Sequence, residues 1–400
     1  MATQSNSPVD SPANPRDLLP SSLDIDCEVS ESEDSDYDSN LKPKLPYVEG
    51  CKINIAKHEP PTPFGPGYDT KPPPMQEKWA TLSQAEYCLS CSPTEGRTVP
   101  GESQCLTITS IIRTGYDRGA QLVEVNRTMV AKIYDPLYYS GFDEFGGRKQ
   151  NVVQIAEGDY SREAAAYEKL QSSTAASAVT PAYFGSWTTE VETVVGKPGQ
   201  QTTHKRQVRL ILIERLHGEC MDWVAPCYLR KAVRSLILKK ALHAEAIIYQ
   251  SGINHRDFAP RNIMILGTGY DDPYIAVKDI KVDVKLIDFN FARILHHPHY
   301  VKRRYMASPE EDEWFPKLQS PIVRFYGRMM DFSTAGWCSN EDEEAERWLW
   351  KHFHNDPRYI PVIWDPIKSS DRPRHQERRS AENSSDSGIS VSSGQSKGTA

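Results

Sequence analysis

The chain has 400 residues, a hydrophobic share of 38% and a formal net charge of −7, enough for one or two domains with a buried core. Residues 1–40 hold ten acidic groups and one basic one, so the remainder is close to neutral and no domain-wide basic surface argues for a nucleic-acid partner. No apolar run approaches a membrane span, and the N-terminus lacks the basic start and apolar centre of a signal peptide, so a cytoplasmic or nuclear protein with no membrane partner is expected.

Residues 1–74 are dominated by Ser, Pro and Asp and read as a disordered acidic, Pro-rich tail. The run ESEDSDYDS (31–39) suits either the substrate of an acid-directed kinase or a solvated tail. Residues 75–104 read as a linker or N-terminal extension, with a short helix expected near Gln76–Tyr87. The eight cysteines are scattered, and in a reducing compartment most are expected to stay thiols. The CxxC of Cys88 and Cys91 has no second pair at zinc spacing and reads as two ordinary thiols in a loop.

The folded unit is expected to begin near Cys105. Leu106–Ile112, Ala120–Asn126 and Thr128–Tyr134 read as three antiparallel strands, the third carrying Lys132. Tyr160–Gln171 is full of helix formers, and Ser172–Thr180 reads as loop. Two more strands, Ala182–Glu190 and Gln207–Ile213, flank a Gly- and Thr-rich hairpin at 196–203. Tyr228–Gln250 has helical periodicity, with Leu229, Val233, Leu236, Ile237, Ala241, Ala244, Ile247 and Ile248 on one face, and Ser251-Gly252 stops it. A helix is expected over Glu341–Phe353, and Ser369–Ala400 reads as a disordered Ser/Gly-rich tail with a basic patch near Arg372–Arg379.

The chemistry concentrates between Gly252 and Arg293. Asp257 and Asn262 stand five residues apart in GINHRDFAPRNIMIL, between two β-like runs, and Asp288 ends the apolar run Val284–Ile287. Carboxylate, amide and carboxylate at the ends of adjacent strands suit Mg²⁺, a hard cation usually held by one or two protein oxygens plus substrate phosphates. The 26 residues from Asn262 to Asp288 leave room for a hairpin around Gly267–Asp283.

The joint order of these pieces resembles the protein kinases: a strand Lys, a helix Glu, a hinge at Glu214–Gly218, a long helix, HRD with Asn262, then Asp288-Phe289-Asn290. The catalytic loop is similar to that of kinase-like proteins of filamentous fungi with an HxDxAPRN pattern. The resemblance covers residues 105–295 and implies an α+β, two-lobed protein-kinase-like fold. Its N-lobe (105–213) would be β-rich, its C-lobe (214–368) mainly helical and shortened, with disordered N- and C-terminal tails. It implies an ATP- and Mg²⁺-dependent phosphotransferase acting on a hydroxyl of an unknown protein or small-molecule acceptor.

The resemblance also assigns roles. Lys132, paired with Glu163, would bind the α- and β-phosphates, with Glu168 the rival partner and a surface salt bridge the plain alternative. Asp257 would orient the acceptor hydroxyl, while Asn262 and Asp288 would hold Mg²⁺. Arg261 would supply charge at the γ-phosphate, because Ala259 stands where serine/threonine kinases carry Lys. His255 and Arg256 read as scaffolding. Three features depart from the family: a glycine loop reduced to Gly115 and Gly119, Asn290 in place of Gly in the DFG triplet, and a short C-lobe. Tyr305–Glu310 (YMASPE) is similar to the APE motif, and Asp331–Gly336 faintly to a DxWSxG helix. The alternatives are a C-lobe built differently, as in aminoglycoside or choline phosphotransferases, and a pseudokinase serving as nucleotide-binding or scaffold module.

Overall fold

A computed structural model describes residues 42–70, 81–91, 96–143, 147–195, 200–301 and 317–363. The acidic run at 31–39, the YMASPE segment, the basic patch and the tail at 369–400 all lie outside the described residues. The architecture is α+β. The first half runs β1 (Lys52–Glu59), α1 (Gln84–Ser90), β2 (Arg97–Arg113), β3 (Gln121–Val125), β4 (Met129–Tyr134), α2 (Val152–Gln171), α3 (Thr174–Ala178), β5 (Tyr183–Val195) and β6 (Thr202–Glu214).

The six strands close into a barrel in the order β1-β2-β3-β4-β6-β5. Closure removes sheet edges and gives a single interior. Ile53, Ile55, Leu106, Ile108, Val123, Val125, Ala131, Ile133, Val208, Leu210 and Leu212 fill that interior, alternating along their strands with residues of the other face. Lys132 and Tyr134 belong to this other face, which packs against α2.

Closure overturns one expectation: the boundary at residue 74. Strand β1 pairs antiparallel with both β2 and β5, so residues 52–59 belong to the barrel and not to a disordered tail. Two inward isoleucines suffice because their partners are supplied by strands distant in the sequence. The chain then crosses α2, where His58 Nδ1 lies 2.6 Å from the Tyr160 hydroxyl and the Phe64 carbonyl accepts from Arg162 Nη1 at 2.7 Å. It pairs beyond, Tyr68 bridging to Tyr300 and Val301 N donating to the Gly67 carbonyl at 3.1 Å.

Several bounds also shift. The short helix lies at Gln84–Ser90, where Ser83 and Glu86 form a capping box, eight residues beyond the expected start. Strand β2 begins at Arg97 because β1 pairs with its first half. Helix α2 begins at Val152, where the Asn151 side chain accepts from Gln154 N, and α3 occupies part of the expected loop, capped by Ser173.

The second half runs β7 (Gly218–Cys220), α4 (Lys231–Gln250), β8 (Ile253–Asn254), β9 (Ile263–Thr268), β10 (Lys281–Leu286), β11 (Arg293–Ile294), α5 (Pro321–Phe325), α6 (Met330–Thr334) and α7 (Asp342–Phe353). Its strands form two small antiparallel sheets, β10-β9-β7 and β11-β8. The β9–β10 hairpin is the expected one. Helix α4 buries Val233, Ile237, Ala241, Ala244 and Ile248 and ends at Ser251, with Gly252 at φ +87°. The ring of Phe258 lies 5.1 Å from both Phe325 and Phe332, tying the 255–262 turn to α5 and α6. Among the described residues no helix is long and apolar enough to cross a membrane.

Candidate active site

Lys132 on β4 faces Glu163 on α2. Its Nζ lies 2.6 Å from Glu163 Oε2 and 2.7 Å from Asp288 Oδ1. The Lys132 and Glu163 side chains are 5% and 1% exposed, so the plain alternative of a surface salt bridge does not hold, and Glu168 is not the partner. Glu163 accepts further bonds from the Tyr134 hydroxyl at 2.7 Å and from Phe289 N at 3.2 Å. One helix carboxylate thereby ties β4 to the segment that carries Asp288.

Phe289 is fully buried, 5.2 Å from the Tyr167 ring and 4.7 Å from His255, and Tyr167 in turn stacks on Tyr183 at 5.5 Å. Tyr167 and Leu170 face inward from α2, as their spacing from Glu163 requires. The turn after β10 takes its positive φ at Asp288 (φ +64°). Asn290, of a residue type that tolerates the left-handed region well, does not adopt it. The left-handed backbone costs a non-glycine residue energy, and here three contacts hold it: Lys132 on the Asp288 carboxylate, Glu163 on Phe289 N, and Arg162 Nε on the Asn290 carbonyl at 2.7 Å.

Electrostatically, one ammonium sits between two carboxylates. Burial opposes the charge on Lys132, but Asp288 and Glu163 outweigh it and hold the ammonium pKa above its ordinary value. Burial pushes Glu163 up, with Lys132 opposing. At Asp288 burial acts in the same upward sense, but the ammonium prevails and the carboxyl lies below its ordinary value. With Lys132 and both carboxylates charged, the trio carries a net negative charge.

Next to it, Asp257 and Asn262 share the turn between β8 and β9. Asn262 Nδ2 donates to Asp257 Oδ2 at 2.7 Å and to the Asp257 carbonyl at 2.8 Å. Arg261 Nη2 pairs with Asp257 Oδ1, so both carboxylate oxygens of Asp257 are engaged. Arg261 was expected to reach toward a γ-phosphate; in the structure its guanidinium, half exposed, holds the aspartate. His255 is buried and neutral, because burial lowers its pKa, and its Nε2–H donates to the Ile287 carbonyl at 3.0 Å. Ile287 N donates to the Asn262 carbonyl at 3.0 Å. These two bonds fix the Asp257 turn against the strand that delivers Asp288.

Gly115 and Gly119 lie in the β2–β3 loop at φ +149° and +66°. Their backbone groups bond to Gln121, not to the Lys132 cluster. Gly115 N donates to Gln121 Oε1 at 2.7 Å, and Gln121 Nε2 donates to the Gly115 and Gly119 carbonyls at 3.0 Å each. Sequence reasoning missed Gln121. Its signal was a polar residue at an inward position of a strand whose other inward positions are Val123 and Val125. Arg162 was missed too; it stands beside Glu163, buried, bonding Asp159 Oδ1 at 2.6 Å as well as the Phe64 and Asn290 carbonyls.

The donor set suits a hard cation on a polyanion. Among the described residues, neither Asp288 Oδ2 nor Asn262 Oδ1 has a hydrogen-bond partner, and no group of three or more His, Cys, Asp or Glu residues could form a metal cage. Two protein oxygens are what Mg²⁺ takes when phosphates complete its shell.

No protein-family model matches the sequence, and no curated protein matches it. Among solved structures the chain is similar to WbdD crystallised with a kinase inhibitor, at 15% identity and a TM-score of 0.30 over 51% of this chain and 39% of that one. It is also similar to WaaP in complex with acyl carrier protein, at 15% identity and a TM-score of 0.29 over 60% of this chain and 88% of WaaP. The chain thus spans about two fifths of the length of WbdD. The chemistry of this chain has to be read from its own residues.

Proposed function

We propose that this chain is a kinase-like phosphotransferase that moves the γ-phosphoryl group of ATP to a hydroxyl of a protein or small-molecule acceptor, with Mg²⁺. The observation that carries the reading is the convergence of Lys132, Glu163 and Asp288 from β4, α2 and the turn after β10, next to Asp257 and Asn262.

In this reading Lys132 binds α- and β-phosphate oxygens and Glu163 keeps its ammonium in place. Asn262 Oδ1 and the Asp288 carboxylate hold Mg²⁺, which when bound neutralises charge on the phosphates. Asp257 accepts a hydrogen bond from the acceptor hydroxyl, aligns it for attack and takes its proton. Arg261 holds Asp257 in orientation through their ion pair and can turn toward the transferred group when substrate enters. Gly115 and Gly119 cover the phosphates.

A second reading, a pseudokinase acting as a nucleotide-binding or scaffold module, is favoured by the two engaged oxygens of Asp257 and by the glycine loop bound to Gln121. Thermal melts with Mg·ATP, together with γ-labelled ATP turnover in the presence of cell extract, separate the two. Ligand at a hundred times its Kd stabilises a fold by about 2.7 kcal/mol, or roughly 5–10 °C for a domain of this size. The phosphotransferase reading expects the shift in wild type and Asp257→Asn, its loss in Asp288→Asn, and turnover in wild type alone. A shift without turnover favours the module; no shift at millimolar Mg·ATP removes the nucleotide from both.

A further inference from the structure

A cavity of about 950 Å³ lies between α4 and α7, and none of its lining residues belongs to the site above. Its floor is apolar and aromatic, made by Leu236, Val277, Trp337 and Trp348, with Trp348 Nε1 donating to Ser235 Oγ at 3.0 Å to bridge the two helices. Lys231, Arg234, Lys239, Arg347 and Lys351 line it, against one carboxylate, Glu344. Among the described residues Lys231, Lys239 and Lys351 have no ion-pair partner, while Arg347 is taken by Glu343.

Two features leave positive charge and buried donors at this groove unanswered by its own lining, although Asp342, Glu343 and Glu344 open α7 beside Arg347. The first is the start of α4: Arg230 makes no side-chain cap bond, and no acidic residue stands in the first turn of this 20-residue helix. The positive end of the helix dipole, normally matched by an acidic side chain, is here reinforced by Lys231 and Arg234. The second is Trp337, 3% exposed, whose Nε1–H is buried without an acceptor, as is Arg234 Nε. Buried donors are ordinarily satisfied, and leaving one unmet is costly. Burial lowers the His352 pKa, and Lys239 and Lys351 act in the same direction.

We infer that this groove is a docking site for an acidic polypeptide segment, a stretch of Asp and Glu carrying one or two apolar side chains. The carboxylates would meet the three unpaired lysines and the start of α4, and the apolar side chains would lie on the tryptophan floor. Charge complementarity selects the occupant. A nucleic acid needs a continuous track of phosphate contacts, and the chain outside residues 1–40 is close to neutral overall. An apolar floor with a cationic rim instead favours a peptide that brings both kinds of group.

The test is fluorescence anisotropy with the full chain and a short fluorescein-labelled Glu/Leu peptide, its Gln/Leu counterpart, and a single-stranded RNA of matching length. The acidic peptide should bind, and the affinity should fall as NaCl rises from about 50 to about 300 mM, since exposed charges are screened over that range. Lys239→Glu combined with Lys351→Glu should weaken binding at least about tenfold, roughly 1.4 kcal/mol. Glu344→Gln should strengthen it, and Lys52→Glu on β1, in the barrel half, should leave it unchanged. A melting curve like that of wild type shows that the double variant is folded. The inference is overturned if the acidic peptide does not bind, if the double variant binds it as well as wild type does, or if the Gln/Leu peptide or the RNA binds as tightly.

Discussion

Two buried ionic clusters sit on opposite faces of the same sheet, and they are built to opposite plans. On the barrel side, Asp135 accepts from both terminal nitrogens of Arg206, Nη2 at 2.7 Å, from the Tyr47 hydroxyl at 2.6 Å and from Leu137 N at 3.1 Å, while Arg206 Nε donates to Thr193 at 2.7 Å. One cation meets one anion, with hydrogen bonds to both partners. On the α2 side, Lys132 alone answers Glu163 and Asp288, and one carboxylate charge is left over. Buried charge is tolerated when it is paired and hydrogen-bonded. The first cluster satisfies that condition and closes the fold. The second has one cation for two carboxyls, and that imbalance is the feature on which the proposed cation site rests.

The contrast can be broken most severely at Arg206. Arg206→Met strands a buried carboxylate and should cost about 3–5 kcal/mol, read as a fall in Tm of roughly 10 °C or more. Asp135→Leu combined with Arg206→Met should recover much of that loss, because no buried charge is left unpaired. A double variant as unstable as the single one would show that Asp135 is needed for more than neutralising Arg206.

Lys132→Met tests the other cluster and should cost less, about 1–3 kcal/mol, because one of two facing carboxyls can take up a proton. Its larger consequence is functional, the loss of any Mg·ATP-dependent rise in Tm. Its pH dependence has a definite sign. In wild type Glu163 is raised and Asp288 lowered, so their contributions to the slope of stability with pH oppose each other. Without the ammonium, burial raises both. Groups raised in the folded state stabilise below their unfolded pKa and lose that contribution as pH rises through the folded value. Melts at pH 5 and pH 8 should therefore favour acid more strongly in Lys132→Met than in wild type; an unchanged difference would mean that the carboxylates do not depend on Lys132.

The smallest effect sharpens the comparison at Asp159, an acid of intermediate standing. Burial outweighs the nearby Arg162 guanidinium and pushes its carboxyl up to about 6. Its contribution to stability is thus complete below about pH 4 and declines toward pH 6, by roughly 1 kcal/mol after allowance for partial solvation. Asp159→Asn should flatten that part of the Tm profile while Arg162 keeps its bonds to the Phe64 and Asn290 carbonyls. A profile that keeps its wild-type slope would move the titration to another group.

Much of this was legible in the chain itself. The strands of Lys132 and its neighbours, the long helix α4, the turn carrying Asp257 and Asn262 and the β9–β10 hairpin are encoded by local periodicity and turn chemistry. That a helix glutamate should pair with Lys132 is what the resemblance implied; helix spacing chose Glu163 over Glu168, since Tyr167 and Leu170 place the apolar face of α2 and Glu163 lies on it. Local rules determine which face a side chain takes within its own element.

Tertiary structure decided what depends on partners distant in the sequence. Lys52–Glu59 is held as a strand by β2 and β5, which flank it; its own signal, Ile53 and Ile55 alternating with polar residues, is too short to stand out from the polar and Pro-rich chain around it. The positive φ falls on Asp288 and not on Asn290 because Lys132, Glu163 and Arg162 grip that turn from two other elements. Asp135 finds Arg206 71 residues away, and Arg162 meets the Asn290 carbonyl 128 residues away. Electrostatic and hydrogen-bonding partners are chosen by proximity in space, so the sequence supplies the donors and acceptors while the fold selects which of them meet.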